Sequence, residues 1–451
     1  MTYKRGALLV IATFAFVLAL LIYFHIVGAQ SQVNSDMRAS DQFAYLTFAQ
    51  RAYDSSLHYT GKRNRMPLFP WIQAVFYSPE LSDEAFFQQG KRVNTVISVI
   101  CLVAVGLAFF ARFSKALALY SLTVAAFLLY ALKAPWFQAE ILFYTLFWLS
   151  FALALECIRA PSWKKSVGVG ALFAWAHFTK ASALPGLLLY SVSFAVLLTR
   201  RLYKRDLRRA DVWTVLAWAT TPIVVFVILL FPYFSESKAR YGQYLYNVNT
   251  TFYMWNDTWK QAKHNTYAAG DREGWPDLPA EEIPSLQNYL STHSARHIVD
   301  RFRDGARAFF HAVCVKPEGE YRYGVCGHSV AALVIIVASV VAMLRQNRRA
   351  ALATDLQAAF FATSFLGAYL LAALWYHPIA LTPRILFSLI LPLFWILGVV
   401  EGAACSHRRS LVIAGRVVKP APAAFSLLTA IAAYQAIELA AFRAETIYGG
   451  G

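Results

Sequence analysis

The chain has 451 residues, 58% of them hydrophobic and only 15% charged, with a formal net charge of +17. Soluble domains usually carry about a quarter charged residues, so this composition excludes an ordinary soluble enzyme and indicates a polytopic membrane protein. The excess of basic residues does not indicate a nucleic-acid partner. It falls in short gaps between apolar runs, where it orients helices and contacts anionic membrane lipids.

The apolar runs approach the ~20 residues needed to cross a bilayer, and every second gap between them is basic. The basic gaps contain Arg112/Lys115, Arg159/Lys164/Lys165, Arg200 to Arg209, Arg345/Arg348/Arg349 and Arg408 to Lys419. This bias places those gaps and the amino terminus in the cytosol. It predicts an all-α, polytopic transmembrane helix bundle of about eleven spans. The spans are expected at 6–28, 93–111, 116–133, 140–158, 166–179, 182–199, 211–231, 328–344, 354–376, 379–400 and 421–441.

Two alternatives to this count stay open. The run at 166–179 is short, so 166–199 is alternatively a re-entrant pair, and without the last span the carboxyl terminus would be cytosolic. The first run is longer than the ~7–15 residues of a signal-peptide core, which favours a membrane span.

Two long polar segments, 29–92 and 232–327, hold seven Lys/Arg against six Asp/Glu and eleven against eleven. The charge rule places both outside the cytosol. They divide the chain into a membrane core with a first external loop (1–231), a large external loop (232–327) and C-terminal spans (328–451). Apolar periodicity predicts an interfacial helix at Asp41–Tyr53. A second helix near Ile298–Val313 is either interfacial or packed on a small external domain. Cys314 and Cys326 share the second loop, and the sequence leaves their pairing open.

Two aspartates, Asp36 and Asp41, follow the first apolar run. A carboxylate within hydrogen-bond reach of an acceptor hydroxyl can take its proton as a new bond forms. A lone Asp beside a helix is more often a simple cap, and it is the neighbouring residues that favour a functional role here.

Three cations, Lys62, Arg63 and Arg65, lie downstream in the same loop, with Met66-Pro67 behind them. Cations aimed at a leaving phosphate stabilise its developing charge, and Arg presents a planar fork to phosphate oxygens. Interfacial cations also contact lipid headgroups, and this simpler interpretation suits Lys62 and Arg63 better than Arg65.

Charged residues near the outer ends of spans form a third group: Glu140, Lys180 and Arg384. Charges inside membrane segments are costly, so they are functional candidates. Arg384 is a candidate second phosphate ligand, while Lys180 alternatively reaches the interface and Glu140 alternatively pairs with a neighbouring cation. Tyr376 and His377 precede Arg384 and are candidate substrate contacts. No His, Cys or Asp spacing matches a zinc site.

The residues from Asp41 to Tyr45, and from Gly61 to Trp71, resemble the first external loop of the GT-C glycosyltransferases. The closest similarity is to dolichyl-phosphate-mannose protein mannosyltransferases and lipid A aminoarabinose transferases. In that group an acidic residue and a downstream Tyr precede a Gly, a Lys-Pro-Pro-Leu and an aromatic residue before a Trp. Here the last part reads Arg65-Met66-Pro67-Leu68-Phe69-Pro70-Trp71. The segments around Glu140, Lys180 and Arg384 resemble later blocks of the same family.

The resemblance implies a GT-C fold and single-displacement transfer of a sugar from a polyprenyl-phosphate donor. Asp41 would be the base, with Asp36 as the alternative, and Arg65 would hold the lipid phosphate; Tyr45 would contact substrate. Asn64 stands where some aminoarabinose transferases have a Glu metal ligand, so no cofactor is predicted, although a divalent metal stays open. The acceptor would be a glycan, lipid or protein, recognised by the 232–327 loop.

Two other functions fit the sequence less well. An O-antigen ligase or polymerase would place its catalytic Arg or His in the late loop rather than in the first. A transporter or flippase would favour repeats and charges at the bilayer midplane, and we find no repeat. The carboxyl end carries no retention signal, which favours the bacterial inner membrane.

Overall fold

The structure is a computed structural model. It describes residues 2–61, 64–203, 209–264, 279, 281–315, 324–345, 356–380, 384–405, 411–413, 416–418 and 420–448. Within these ranges the protein is helical apart from one antiparallel hairpin, in which β1 (Leu411–Ile413) pairs with β2 (Arg416–Val418). The all-α prediction is therefore confirmed.

The elements of the first half are α1 (Thr2–Val33), α2 (Gln42–Asp54), α3 (Leu68–Ala74), α4 (Asp83–Arg112), α5 (Lys115–Val124), a π-turn (Ala125–Tyr130), α6 (Ala131–Lys133), α7 (Glu140–Arg159), α8 (Trp163–Thr179), a 3₁₀ turn (Ala181–Ala183), α9 (Leu184–Tyr203) and α10 (Arg209–Tyr241). Those of the second half are α11 (Val248–Thr251), a 3₁₀ turn (Tyr253–Trp255), α12 (Trp259–Lys263), α13 (Leu286–Thr292), α14 (Ala295–Phe310), a π-turn (His311–Val315), α15 (Val325–Arg345), α16 (Leu356–Tyr376), α17 (Arg384–Phe387), α18 (Ile390–Cys405) and α19 (Pro420–Tyr448).

Nine of the described helices are long and apolar enough to cross a membrane. The predicted count of eleven is not confirmed. The predicted spans at 166–179 and 328–344 fall on α8, which has 17 residues, and on α15, whose apolar part is Val325–Val341. At 1.5 Å per residue a 17-residue helix covers about 26 Å, less than the ~30 Å hydrocarbon core.

Serine caps separate the helices at the end of the bundle that carries the basic gaps. Ser114 accepts a hydrogen bond from the Leu117 N–H and starts α5, and Ser162 accepts one from the Lys165 N–H and starts α8. Each cap satisfies an otherwise unpaired donor of the first turn. At this end Arg112 pairs with Glu156 at 2.9 Å, so the last turns of α4 and α7 are tied together.

Helix α7 is the most enclosed of the candidate spans: 72% of its apolar window is buried, against 28% for α1. Aromatic rings surround it. Phe109 of α4 stacks on Trp148 with centroids 5.5 Å apart, and Tyr369 of α16 meets Phe147 edge-on at 4.8 Å. Since α7 has 20 residues, it carries Glu140 at one end of the bundle and Arg159 at the other, ~30 Å away.

The two long polar segments meet at the Glu140 end. In the first loop, α2, α3 and the start of α4 form an apolar cluster together with Phe137, which precedes α7. The buried aromatic residues of this cluster are Tyr45, Phe48, Phe69, Phe86, Phe87 and Phe137. Asn249 of the second loop donates to the Asn64 carbonyl at 3.3 Å, which joins the loops. A disulfide between Cys314 and Cys326 connects the end of the second loop to α15.

The second loop contains the predicted amphipathic helix as α14. Its apolar side packs on α16, where the Phe302 ring lies 5.4 Å from Trp375. Arg301, 6% exposed, points inward: it donates to the Trp375, Met254 and Asn256 carbonyls and pairs with Asp257 at 3.0 Å. These contacts favour the interpretation in which the helix packs on a small external domain.

Candidate active site

Asp41 lies at the start of α2 without capping it. Its side chain makes no hydrogen bond to the first turn of the helix. Instead, one carboxylate oxygen accepts a hydrogen bond from Arg65 Nη2, and the other lies 3.5 Å from Arg384 Nη1. The simple interpretation of Asp41 as a helix cap therefore does not describe this residue. Its carboxylate bridges two guanidinium groups from opposite halves of the chain.

The position of Asp41 is fixed by its neighbour Gln42, which is fully buried. The Gln42 amide exchanges two hydrogen bonds of 2.8 Å with Asn34, just beyond α1, and accepts a third from the Phe137 N–H at 2.9 Å. A carboxylate at position 42 could not donate to Asn34 Oδ1. The Gln42 amide thus has a structural role here.

Arg65 stands just before α3, where Pro67 takes the N-cap position. Its guanidinium donates to the Asn64 carbonyl at 2.9 Å and lies 5.7 Å from the centre of the Tyr45 ring. Burial raises the pKa of Tyr45 above its usual range, with the charge of Glu140 adding to the rise. Tyr45 therefore offers Arg65 a neutral aromatic face.

Glu140, Lys180 and Arg384 form the deep part of the site. The Glu140 side chain is 2% exposed, and one of its oxygens accepts from Lys180 Nζ at 3.0 Å and from Arg384 Nη1 at 3.2 Å. Its other oxygen has no hydrogen-bond partner among the described residues. Because a buried carboxylate needs compensating charge, Glu140 holds both cations in place.

Lys180 reaches this position because α8 ends there. It takes an extended conformation (φ −152°) as the C-cap, and its N–H donates to Ala176. The ammonium lies 5.5 Å from the Phe143 ring centre. The side chain is thus directed to Glu140, which matches the pairing alternative given for Glu140, and it does not reach the interface as the alternative for Lys180 expects.

Ser40 is a site residue that the sequence reasoning missed. It has φ +59°, and its hydroxyl lies 2.6 Å from Arg384 Nη2 and 3.0 Å from Gln138 Nε2. The left-handed backbone is uncommon for a non-glycine residue; it turns Asp41 and the Ser40 hydroxyl toward the same arginine. No pattern in the sequence signals this backbone conformation.

The other predicted site residues lie around or away from this cluster. Tyr376 donates to Asn249 Oδ1 at 3.2 Å, next to the Asn64 carbonyl that Asn249 also contacts. His377 bonds the Leu374 carbonyl at 3.1 Å and faces Gly305 of α14. Asp36 is exposed and accepts from the Arg38 N–H at 2.8 Å, so it closes its own turn. Lys62 and Arg63 lie outside the described residues.

The site carries three cations, Arg65, Lys180 and Arg384, against two carboxylates. This balance favours an anionic ligand, and Arg presents the donor geometry that phosphate accepts. No group of three or more His, Cys, Asp or Glu side chains among the described residues is arranged to hold a metal ion.

An apolar cavity of about 460 Å³ opens beside Arg384, between α14, α15, α16 and α18. Leu386 and Phe387, two and three residues after the arginine, line it, and no charged side chain does. A cavity with this lining suits a hydrocarbon chain.

Comparisons with protein-family models and with curated proteins give no match. Among solved structures, the chain is similar to ArnT from Cupriavidus metallidurans in the apo state, with 15% identity and a TM-score of 0.35 over 87% of this chain and 78% of that one. The same protein bound to undecaprenyl phosphate gives 14% identity and 0.34 over the same shares. Similarity at this level does not assign an activity to the chain.

Proposed function

We propose that this protein is a membrane glycosyltransferase that moves a sugar from a polyprenyl-phosphate donor to an acceptor hydroxyl on the non-cytosolic face. The observation that carries the proposal is the bridge from Asp41 to Arg65 and Arg384. It puts a partly exposed carboxylate and two guanidinium groups at one end of the bundle, beside an apolar cavity.

In this proposal the arginines bind the donor phosphate. Without a ligand, the carboxylate of Asp41 satisfies both of them. The donor phosphodiester presents two charged non-bridging oxygens in the geometry that Arg binds, and it can also contact Lys180, a third cation, so it takes over the hydrogen bonds of the arginines. The negative charge that develops on the leaving phosphate then faces donors that are already in position, which is a large catalytic contribution in many enzymes.

Donor binding also prepares Asp41 as the base. Once the phosphate occupies the guanidinium groups, the carboxylate is free to accept a hydrogen bond from an acceptor hydroxyl. The acceptor oxygen attacks the anomeric carbon, its proton passes to Asp41, and the bond from that carbon to the phosphate oxygen breaks. The products are the glycosylated acceptor and the polyprenyl phosphate. Asp41, at 39% side-chain exposure, is open to an acceptor from the aqueous side.

The apolar cavity beside Arg384 would receive the isoprenoid part of the donor. The chain comes from the bilayer and not from water, so the cavity contributes van der Waals packing and a defined position for the tail rather than a full hydrophobic transfer energy. Since Arg384 begins the short helix whose next residues line the cavity, phosphate and tail would be bound by adjoining parts of the chain.

The distribution of basic residues supports a site on the non-cytosolic side of the membrane. Arg112, Arg159 and Lys165 lie at the far end of α4, α7 and α8 from Glu140. Basic ends are cytosolic, which supports a periplasmic or exterior site in a bacterial inner membrane.

Two observations favour this function over the alternatives. The charged residues of the candidate site lie together at one end of the bundle, whereas a transporter would place its ionisable residues near the midplane of the bilayer. In the late loop, where a ligase or polymerase would carry its catalytic arginine, Arg301 is held by five protein partners in a structural role.

The test is transfer by the purified full chain in nanodiscs. It would be incubated with undecaprenyl phosphates carrying radiolabelled sugars, together with lipid, glycan and peptide acceptors. Release of labelled sugar from the lipid onto an acceptor supports the proposal. If no undecaprenyl-phosphate sugar binds or is consumed, while the protein remains folded, the proposal is wrong.

A further inference from the structure

A second cavity, of about 220 Å³, is lined by residues that neighbour the phosphate-site residues along the chain. Three of the segments that line it continue directly from site residues. Met66 follows Arg65, Ala181 and Ser182 follow Lys180, and Thr250 follows Asn249. A group attached to a phosphate held by Arg65 and Lys180 would therefore reach this cavity.

The lining is mostly apolar and carries no charge. No carboxylate, ammonium or guanidinium group borders the cavity. Its hydrogen-bonding groups are the side chains of His177, Ser182, Asn247 and Thr250 and the hydroxyls of Tyr233 and Tyr246. Aromatic rings of Tyr233, Phe234 and Tyr246 complete the wall. Convergent polar groups among aromatic side chains are typical of sites for small hydroxylated ligands.

His177 supplies the observation that points to a ligand. It is 5% exposed, and its ring makes edge-on contacts with Phe226 at 5.3 Å and Phe234 at 6.4 Å. Its Nδ1 is buried and has no hydrogen-bond partner among the described residues. An unsatisfied buried polar atom is costly, and a ligand hydroxyl in the cavity would remove that cost.

Asn247, 6% exposed, offers a second poorly satisfied group. Its Oδ1 caps α11 by accepting from the Asn249 N–H at 3.1 Å. Its Nδ2 lies 4.0 Å from the Met66 sulfur, a weak acceptor. The amide therefore retains a donor that a sugar oxygen can use.

We infer that this cavity binds the sugar of the donor and selects a sugar that carries no charge. The inference rests on the proposed function, since it places the donor phosphate at Arg65 and Lys180. An amino or carboxyl group on the sugar would be desolvated there without a partner, which costs more than a missing hydrogen bond. A neutral pentose or hexose instead gains hydrogen bonds to His177 and Asn247 and contact with the aromatic rings.

The experiment measures dissociation constants of the full chain in nanodiscs for three lipids. They are undecaprenyl phosphate, its glucosyl ester and its 4-amino-4-deoxyarabinosyl ester. The wild type should bind the glucosyl ester more tightly than the amino-sugar ester. His177→Phe should weaken the glucosyl ester about fivefold to tenfold, the effect of one or two neutral hydrogen bonds, and leave bare undecaprenyl phosphate unchanged. His297→Phe, at an exposed histidine of α14, is the matched control.

Asn247→Asp tests the charge selection even if His177→Phe does not fold. The substitution keeps the shape and the cap oxygen but adds a carboxylate, so the preference should shift toward the cationic amino-sugar ester. The inference is overturned if the wild type prefers the amino-sugar ester, or if His177→Phe weakens all three lipids equally or none. It is also overturned if Asn247→Asp leaves the preference unchanged. A wild type that binds none of the lipids would instead overturn the proposed function, and with it this inference.

Discussion

The substitution Asp41→Asn separates the two roles that the site gives to this carboxylate. Asn keeps the size of the side chain but cannot accept a proton at neutral pH. Positioned general bases contribute about 10²- to 10⁴-fold to rates, so turnover should fall by at least about a hundredfold. Binding of undecaprenyl phosphate should become tighter, because the carboxylate no longer competes with phosphate for Arg65 and Arg384.

The size of the binding effect follows from the exposure of the pair. Asp41 is 39% exposed and both arginines 19%, so solvent screens the interaction and each pair is worth about 1 kcal/mol or less. Loss of one such competing contact corresponds to about a fivefold lower dissociation constant. The same estimate limits the loss of folding stability, and the variant should remain folded.

Transfer rates and lipid-phosphate binding would be measured side by side for Asp41→Asn, Asp36→Asn and Asp54→Asn. Asp54 is an exposed residue at the last position of the same helix and serves as the matched control. Asp36→Asn should be close to wild type, because Asp36 contacts only its own turn. Near-normal turnover of Asp41→Asn would remove its assignment as the base, and a large loss with Asp36→Asn would transfer that assignment.

Three further predictions concern the surroundings of this carboxylate. Arg384→Ala and Arg65→Ala should each weaken undecaprenyl-phosphate binding at least tenfold, as expected for the loss of charge-assisted hydrogen bonds. Arg303→Ala, at a half-exposed residue of α14, is the control and should bind as the wild type does. A binding titration in which the two site variants bind as tightly as the wild type would contradict this prediction. Glu140→Leu should lower the thermal unfolding temperature, because removing one partner of a buried ion pair costs about 3–5 kcal/mol, and an unchanged unfolding temperature would show that Glu140 does not hold the two cations. The double change Cys314→Ser and Cys326→Ser removes the disulfide, whose cysteines are 12 residues apart in the chain. It should lower the free energy of unfolding by about 3 kcal/mol. Cys101→Ser, at a buried free cysteine, is the control that tests whether loss of any cysteine has the same effect on unfolding.

Much of the helical framework could be predicted because membrane segments are recognisable from the length of their apolar runs and from the basic residues between them. The span expected at 140–158 is α7, and the interruption between 179 and 182 is present at Lys180. The span count was less predictable. The apolar stretches at 166–179 and 328–344 are shorter than the bilayer core, and hydropathy does not distinguish a full crossing from a helix packed against its neighbours.

The site was partly predictable for a different reason. Charges inside membrane segments are costly, which singled out Glu140, Lys180 and Arg384, and these three side chains do converge. Their partners were not readable from spacing, because pairing across 244 residues depends on how helices pack. Ser40 was missed because its contribution comes from a left-handed backbone. His377 was chosen for its chemistry, whereas the packing of α14 against α16 turns it toward Gly305.

The buried position of Glu140 has a consequence for biogenesis. Its two cationic partners are synthesised later, and Arg384 is 244 residues downstream. At ~5–20 residues per second, a ribosome needs roughly 12–50 s to reach that arginine. Lys180 is only 40 residues downstream of Glu140 and is made early in this interval, so for most of it Glu140 has one of its two cationic partners. Closure of this charged cluster is thus a late event of assembly, and a polypeptide truncated before α17 would carry a complete first loop and still lack Arg384, the second arginine that contacts Asp41.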